Sequence, residues 1–176
     1  MRQSLSLARR KFEEVKAEFR QVMAVESDVI PTIAKLKTTT ADTAANSLRA
    51  TGIEGVYTGI EGLLKELLTI VDGGVFAAEE NWHARLLAQA ADPNLKKRAA
   101  IISGDTYELL DRIRAFRHVE RNVYRHMLRD TEVKENLARL QKLFPLFEAD
   151  IEKFFKTYDH DDRTEDDCDP PTPGKK

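Results

Sequence analysis

Cysteine, glycine and proline are scarce in this chain of 176 residues, and each scarcity removes a class of structure. The single cysteine, Cys168, excludes an intrachain disulfide and a cysteine-based structural zinc site within one chain. Eight glycines and six prolines are few, and three of the prolines, Pro170, Pro171 and Pro173, crowd the C-terminal end, so the rest of the chain permits long uninterrupted elements. No run approaches the roughly 18 consecutive apolar residues of a membrane span. The stretch from Met1 to Arg20 is charged throughout and holds no signal-peptide core, so the sequence predicts a cytoplasmic protein with no membrane association.

What is present suits one soluble domain with a real core: 41% of residues are hydrophobic and 33% charged. The net charge of -2 is unevenly spread, because Asp159 to Lys176 holds seven acidic and three basic residues while the body carries a small positive excess. That segment has almost no apolar side chains with which to offset the entropy of ordering it. The sequence therefore predicts a helical domain over 1–158 and a disordered acidic, proline-containing tail over 159–176. The run Asp159-His160-Asp161-Asp162 reads as part of that solvated tail, and neither a metal nor a cofactor is expected.

Along the body the hydrophobic period is helical throughout, and nothing alternates like a strand. A first helix is predicted from Ser4 to about Ile30, with Leu7, Phe12, Val15, Phe19, Val22 and Val29 near one face and Pro31 marking a kink or boundary. A second follows the turn-like Thr38-Thr39-Thr40 and runs from about Thr43 to Val71, with Ile53, Val56, Tyr57, Ile60, Leu63, Leu64, Leu67 and Leu68 inward and Asp72-Gly73-Gly74 as its stop. A short third helix spans Ala77 to Ala90 and closes at Asp92-Pro93-Asn94. The fourth starts after Ser103 as N-cap and runs to Leu128, with Leu109, Leu110, Ile113, Phe116, Val123 and Met127 facing the core. The fifth runs from about Thr131 to Tyr158, burying Val133, Leu137, Leu140, Leu143, Phe144, Phe147, Ile151, Phe154 and Phe155, with a bend at Pro145. Short connections between long amphipathic helices favour antiparallel neighbours, so the predicted fold is all-α: an antiparallel up-and-down bundle of four main helices plus one short helix.

The predicted fourth helix departs from a generic bundle helix, because Arg112, Arg114, Arg117, His118, Arg121, Arg125, His126 and Arg129 crowd its second half. A solvated basic face is the plain reading of that composition. At about 100° per residue, however, Arg114, Arg117, Arg121, Tyr124 and Arg125 share one face, which can meet a phosphate backbone. His118 and Asn122 lie one turn apart on its flank.

The segment from Phe116 to His126 carries a resemblance. Phe116-Arg117-His118, followed by Arg121 and Tyr124, resembles the HepT-like branch of the HEPN ribonucleases, toxins of toxin–antitoxin pairs, whose pattern is Arg, a polar residue, three variable residues, then His-x-Tyr. Tyr57-Thr58-Gly59-Ile60-Glu61 with Leu63-Leu64, and Trp82-His83-Ala84-Arg85-Leu86-Leu87, resemble the same branch in the same order. The resemblance covers about Thr51 to Phe155. It implies a metal-independent endoribonuclease whose cleft forms across a homodimer, with RNA as substrate and a cognate nucleotidyltransferase as antitoxin. Arg117 then matches the motif arginine, His118 the polar second residue, and Tyr124 the tyrosine that such an antitoxin can adenylylate. Asn122 occupies the place of the catalytic histidine, and asparagine cannot shuttle a proton at neutral pH.

Three readings of Asn122 stay open: a natural loss of catalysis, a deliberate inactivation, or a motif read one turn later as Arg121-Asn122-x3-His126. The first register keeps the Phe-Arg-His and His-x-Tyr context and is preferred. In it, Arg114, Arg117, Arg121 and Arg125 are the phosphate-binding residues. A noncatalytic HEPN module that binds RNA or a protein is the competing function, and a helical adaptor the weaker third. Trp82 and His83 read as structural, Trp82 as an anchor and His83 as support for a neighbouring helix. Glu61 reads as a surface charge that could instead pair with the arginines of the fourth helix.

Overall fold

A computed structural model describes the backbone of residues 2–73, 81–93, 98–122 and 129–166, and the side chains of 4–73, 81–93, 98–117 and 129–158. Among the described residues every regular element is helical. Helix α1 spans Arg2–Ala24, a single π turn Val25–Val29 leads into the short α2, Ile30–Ala34, and α3 spans Thr39–Asp72. Helices α4, Trp82–Ala91, α5, Gly104–Asn122, and α6, Asp130–Asp166, complete the order.

The predicted break at Pro31 is a change of winding. The Ile30 N–H bonds to the Val25 carbonyl, five residues back, and Pro31 opens α2. Proline has no N–H and its ring crowds the carbonyl four residues before it, so a wider turn just upstream relieves both problems. Helix α3 starts a turn before the predicted Thr43, because the Thr38 side chain caps it by accepting from the Ala41 N–H at 3.2 Å. It stops as expected at Gly73, whose φ of +69° only glycine adopts without strain. Helix α6 runs through Pro145 and past the predicted end at Tyr158 to Asp166, so the first part of the segment read as a tail carries helical backbone.

Helix α3 is the central element and packs against α1, α2, α4, α5 and α6. All eight of its predicted core positions are buried, each contributing roughly 1.5–3 kcal/mol of apolar transfer. The nine predicted core positions of α6 are buried as well. In α1, Phe12, Val15 and Val22 are buried, but Leu7 and Val29 are exposed: the π turn shifts the face on which Val29 falls, and Leu7 lies at the edge of the stripe.

Side-chain pairings fix the direction of packing. Gly52, Gly55 and Gly59 of α3 face Val22, Glu18 and Val15 of α1 in reverse order, so the two helices are antiparallel. A Cβ at Gly52 would stand 2.8 Å from Val22 Cγ2, which is why this contact takes glycine. Phe19 stacks on Phe144 at 3.9 Å while Phe12 meets Phe147 and Phe155, so α6 also runs antiparallel to α1. Ser103 caps α5 as predicted, accepting from the Thr106 N–H, and Asp150 of α6 takes hydrogen bonds from the Ser103 N–H, the Ser103 hydroxyl and the Thr106 hydroxyl. That carboxylate fixes the start of α5 against α6 and thereby the orientation of the arginine-bearing helix.

Candidate functional site

Arg117 projects from α5 into a junction with α3 and α4. Glu54, Tyr57 and Glu61 occupy successive turns on one face of α3, the i, i+3, i+7 spacing that aligns side chains along a helix. His83 stands in the first turn of α4. These residues meet around the guanidinium. Arg117 Nη1 lies 3.7 Å from Glu61 Oε2 and 3.4 Å from His83 Nε2, and Arg117 Nε lies 3.8 Å from Glu54 Oε1. The Arg117 guanidinium carbon sits 5.8 Å from the centre of the Tyr57 ring, within cation–π range.

His83 is oriented by its partners. Its Nδ1 lies 2.6 Å from Glu61 Oε1, and its Nε2 faces an arginine, which can only donate. Both contacts are satisfied when Nδ1 carries the proton, donating to Glu61, while the Nε2 lone pair accepts from Arg117. Trp82 lies against the His83 ring, centroids 3.8 Å apart, and Lys65 Nζ is 5.7 Å above Trp82. The expected support role of His83 thus takes a specific form: it bridges a carboxylate of α3 to Arg117 of α5.

Two groups here are left short of partners. Arg117 Nε is buried with no hydrogen-bond partner among the described residues, and so is the Tyr57 hydroxyl. Burial, followed by the Glu61 charge, pushes the Tyr57 phenol far above its ordinary range, so it stays protonated. The Glu61 side chain is only 4% exposed, against 14% for Arg117 and 26% for His83. A buried carboxylate without a cation is costly, so Glu61 holds Arg117 by charge. The contacts of 3.7 and 3.8 Å are nevertheless too long for hydrogen bonds, and among the described residues His83 alone lies within hydrogen-bonding distance of the guanidinium.

Arg114, predicted as a second phosphate ligand, hydrogen-bonds Asp111 at 2.8 Å within α5, which raises its pKa and compensates its charge. The helical backbone of α5 carries His118, Arg121 and Asn122, whose side chains lie outside the described ones. Tyr124, Arg125 and His126 lie outside the described residues altogether. Glu61, read from the sequence as a surface charge, is instead buried, because it faces Arg117 and His83; the alternative noted for it, pairing with an arginine of this helix, is what the structure has. Sequence reading did not single out Glu54, although its separation of two helical turns from Glu61 was visible; nor did it place Tyr57 beside the arginine, having read it as core. Among the described residues no group of three or more His, Cys, Asp and Glu side chains is placed to hold a metal ion, and no helix is long and apolar enough to cross a membrane.

Residues 49–158 match the family model of HepT-like proteins, a span that begins in α3, ends in α6 and includes Glu54, Tyr57, Glu61, His83 and Arg117. No curated protein and no solved structure matches the chain. The matched span exceeds half of the sequence and contains every element that meets at Arg117. The chain therefore belongs to the HepT-like family, within the HEPN superfamily of helical toxin and nuclease modules.

Proposed function

We propose that the chain is a metal-independent endoribonuclease of toxin type that seats a phosphate of RNA on Arg117 and is impaired because Asn122 stands in the place of the family's histidine. The observation that carries this reading is the state of Arg117: its charge is held in place by Glu61 and Glu54, yet its Nε is buried without a hydrogen-bond partner among the described residues. A guanidinium positioned by charge with donors uncommitted is suited to take phosphate oxygens in its fork.

RNA supplies its own nucleophile, the 2′-hydroxyl. The protein has to accept that proton, supply one to the leaving oxygen and stabilise the charge on phosphorus. Arginine does the last of these. Asparagine at 122 does neither proton transfer, and the loss of one such group typically lowers the rate about 10²- to 10⁴-fold. Family membership supports a homodimeric cleft, further phosphate contacts from Arg114, Arg121 and Arg125, action in the cytoplasm, and control by a nucleotidyltransferase antitoxin that adenylylates Tyr124.

Cleavage of bulk transfer RNA and of a mixed-sequence single strand by the native chain and by Asn122→His tests the reading. Asn122→His is expected to cleave about 10²- to 10⁴-fold faster than the native chain. Cleavage by neither form, with RNA binding retained, replaces it with the noncatalytic binding module. Native cleavage that His126→Ala abolishes assigns the site to the register Arg121-Asn122-x3-His126 instead.

A further inference from the structure

Around Arg117 the structure places a histidine that the family motif does not use. Of the histidines, His83 alone has a described side chain; it reaches the motif arginine with Nε2 at 3.4 Å, while its Nδ1 is held by the nearly buried Glu61 at 2.6 Å. A carboxylate that accepts from Nδ1 fixes the ring's orientation and tautomer, leaves the Nε2 lone pair as the reactive edge, and stabilises the imidazolium that forms when Nε2 takes a proton. His83 is also more exposed than Glu61 or Arg117, so a ligand on Arg117 can reach this edge.

We infer that His83 is the proton acceptor for the 2′-hydroxyl of an RNA strand whose phosphate lies on Arg117, with Glu61 as its positioning residue. The inference rests on the ribonuclease reading above. In the free protein the Nε2 lone pair is occupied by Arg117, which gives it a weak hydrogen bond. A phosphate that draws the guanidinium to itself releases Nε2, so the base is uncovered by the substrate it serves. The 2′-hydroxyl proton then passes to Nε2, the 2′ oxygen bonds to phosphorus, and the bond from phosphorus to the 5′ oxygen breaks. Water protonates the leaving oxygen, and the imidazolium returns its proton to the hydroxide so formed. The products are a 2′,3′-cyclic phosphate and a 5′-hydroxyl. His83 accounts for one of the two proton transfers, and a histidine restored at 122 would supply the other.

His83→Gln is introduced into the native chain and into Asn122→His, with the same mixed-sequence RNA as probe. Glutamine keeps a polar side chain of similar reach but cannot carry a proton. The expected result is a fall in kcat of about 10²-fold or more in the Asn122→His chain, with RNA affinity and the thermal unfolding midpoint retained. Free imidazole should restore part of the cleavage to His83→Ala, which a purely structural histidine would not allow. Glu61→Gln should lower kcat by less than His83→Gln; a loss as large as that of His83→Gln in a chain that keeps its RNA affinity would overturn the division into base and positioning residue. Unchanged cleavage when His83→Gln is added to Asn122→His overturns the role of His83 and leaves the ribonuclease reading standing. Loss of folding or RNA binding in both His83 variants, with no rescue by imidazole, overturns it as well. No cleavage by Asn122→His itself overturns both.

Discussion

Arg98, which is buried, and Arg117, which is partly buried, are both held by carboxylates of α3, yet they are opposite kinds of residue. Arg98 uses all five of its N–H groups: Nε and Nη2 grip Asp72 at 3.0 and 2.9 Å, Nη2 also reaches the Gln89 carbonyl, and Nη1 reaches the carbonyls of Asp92 and Ala99. Its side chain is 2% exposed, and it ties the end of α3 to the end of α4 and the loop before α5. Among the described residues Arg117 makes one contact within hydrogen-bonding distance and two longer ionic ones. A saturated guanidinium has nothing left to offer a ligand, whereas an unsaturated one held by charge does. The same residue type is therefore saturated at one end of α4 and, among the described residues, short of partners at the other.

The strongest attempt to break this comparison removes Arg98. Arg98→Ala leaves Asp72 with an uncompensated charge and three carbonyls without their donor, and should cost about 3–5 kcal/mol in chemical denaturation. Removing Arg117 should cost less, because its bonds are long: Arg117→Gln is expected to destabilise by about 1–2 kcal/mol while it weakens RNA binding at the site. Equal losses of stability in the two variants would mean that Arg117 is as structural as Arg98. Arg49 is also buried and makes a bidentate pair with the partly exposed Glu26 at 2.8 and 2.9 Å, and Arg49→Ala should cost about 2 kcal/mol with no effect on RNA.

The smallest effect sharpens the picture of the unsaturated end. Tyr57→Phe removes a buried hydroxyl with no hydrogen-bond partner among the described residues, so stability at neutral pH should be unchanged or rise by up to about 1 kcal/mol. The sign of its pH dependence follows from the raised folded-state pKa. Ionisation is easier in the unfolded chain, so the stabilising proton on Tyr57 counts in full below the unfolded pKa of about 10 and its contribution declines as pH rises beyond it. Denaturation curves between pH 9 and about 11 should therefore fall less steeply for Tyr57→Phe than for the native chain. Identical slopes would mean that Tyr57 is not buried as described.

What the sequence made legible follows from how local each signal is. The core faces of α3 and α6 were readable because heavy apolar residues recur at three and four over many turns, and nothing else explains the pattern. Gly73 and Ser103 were readable as a stop and a cap because their chemistry acts within a few residues. The π turn was not, since periodicity assumes one winding and so misplaced Val29. The five bonds of Arg98 were invisible because Asp72 is distant in sequence and three of its partners, on Gln89, Asp92 and Ala99, are backbone carbonyls that any residue type would provide. At the candidate site, Arg117 and its pairing with Glu61 could be anticipated from the motif and charge. The contact of His83 with Arg117 could not, because it depends on how α4 packs between α3 and α5.

The most direct test of the central claim, that Arg117 is held in place by carboxylates with its donors kept for phosphate, is single-turnover cleavage of a mixed-sequence RNA by Asn122→His and by Asn122→His/Arg117→Gln side by side. A fall of about 10²-fold or more is expected on loss of Arg117 in a chain that remains folded. Equal rates from the two chains would contradict it.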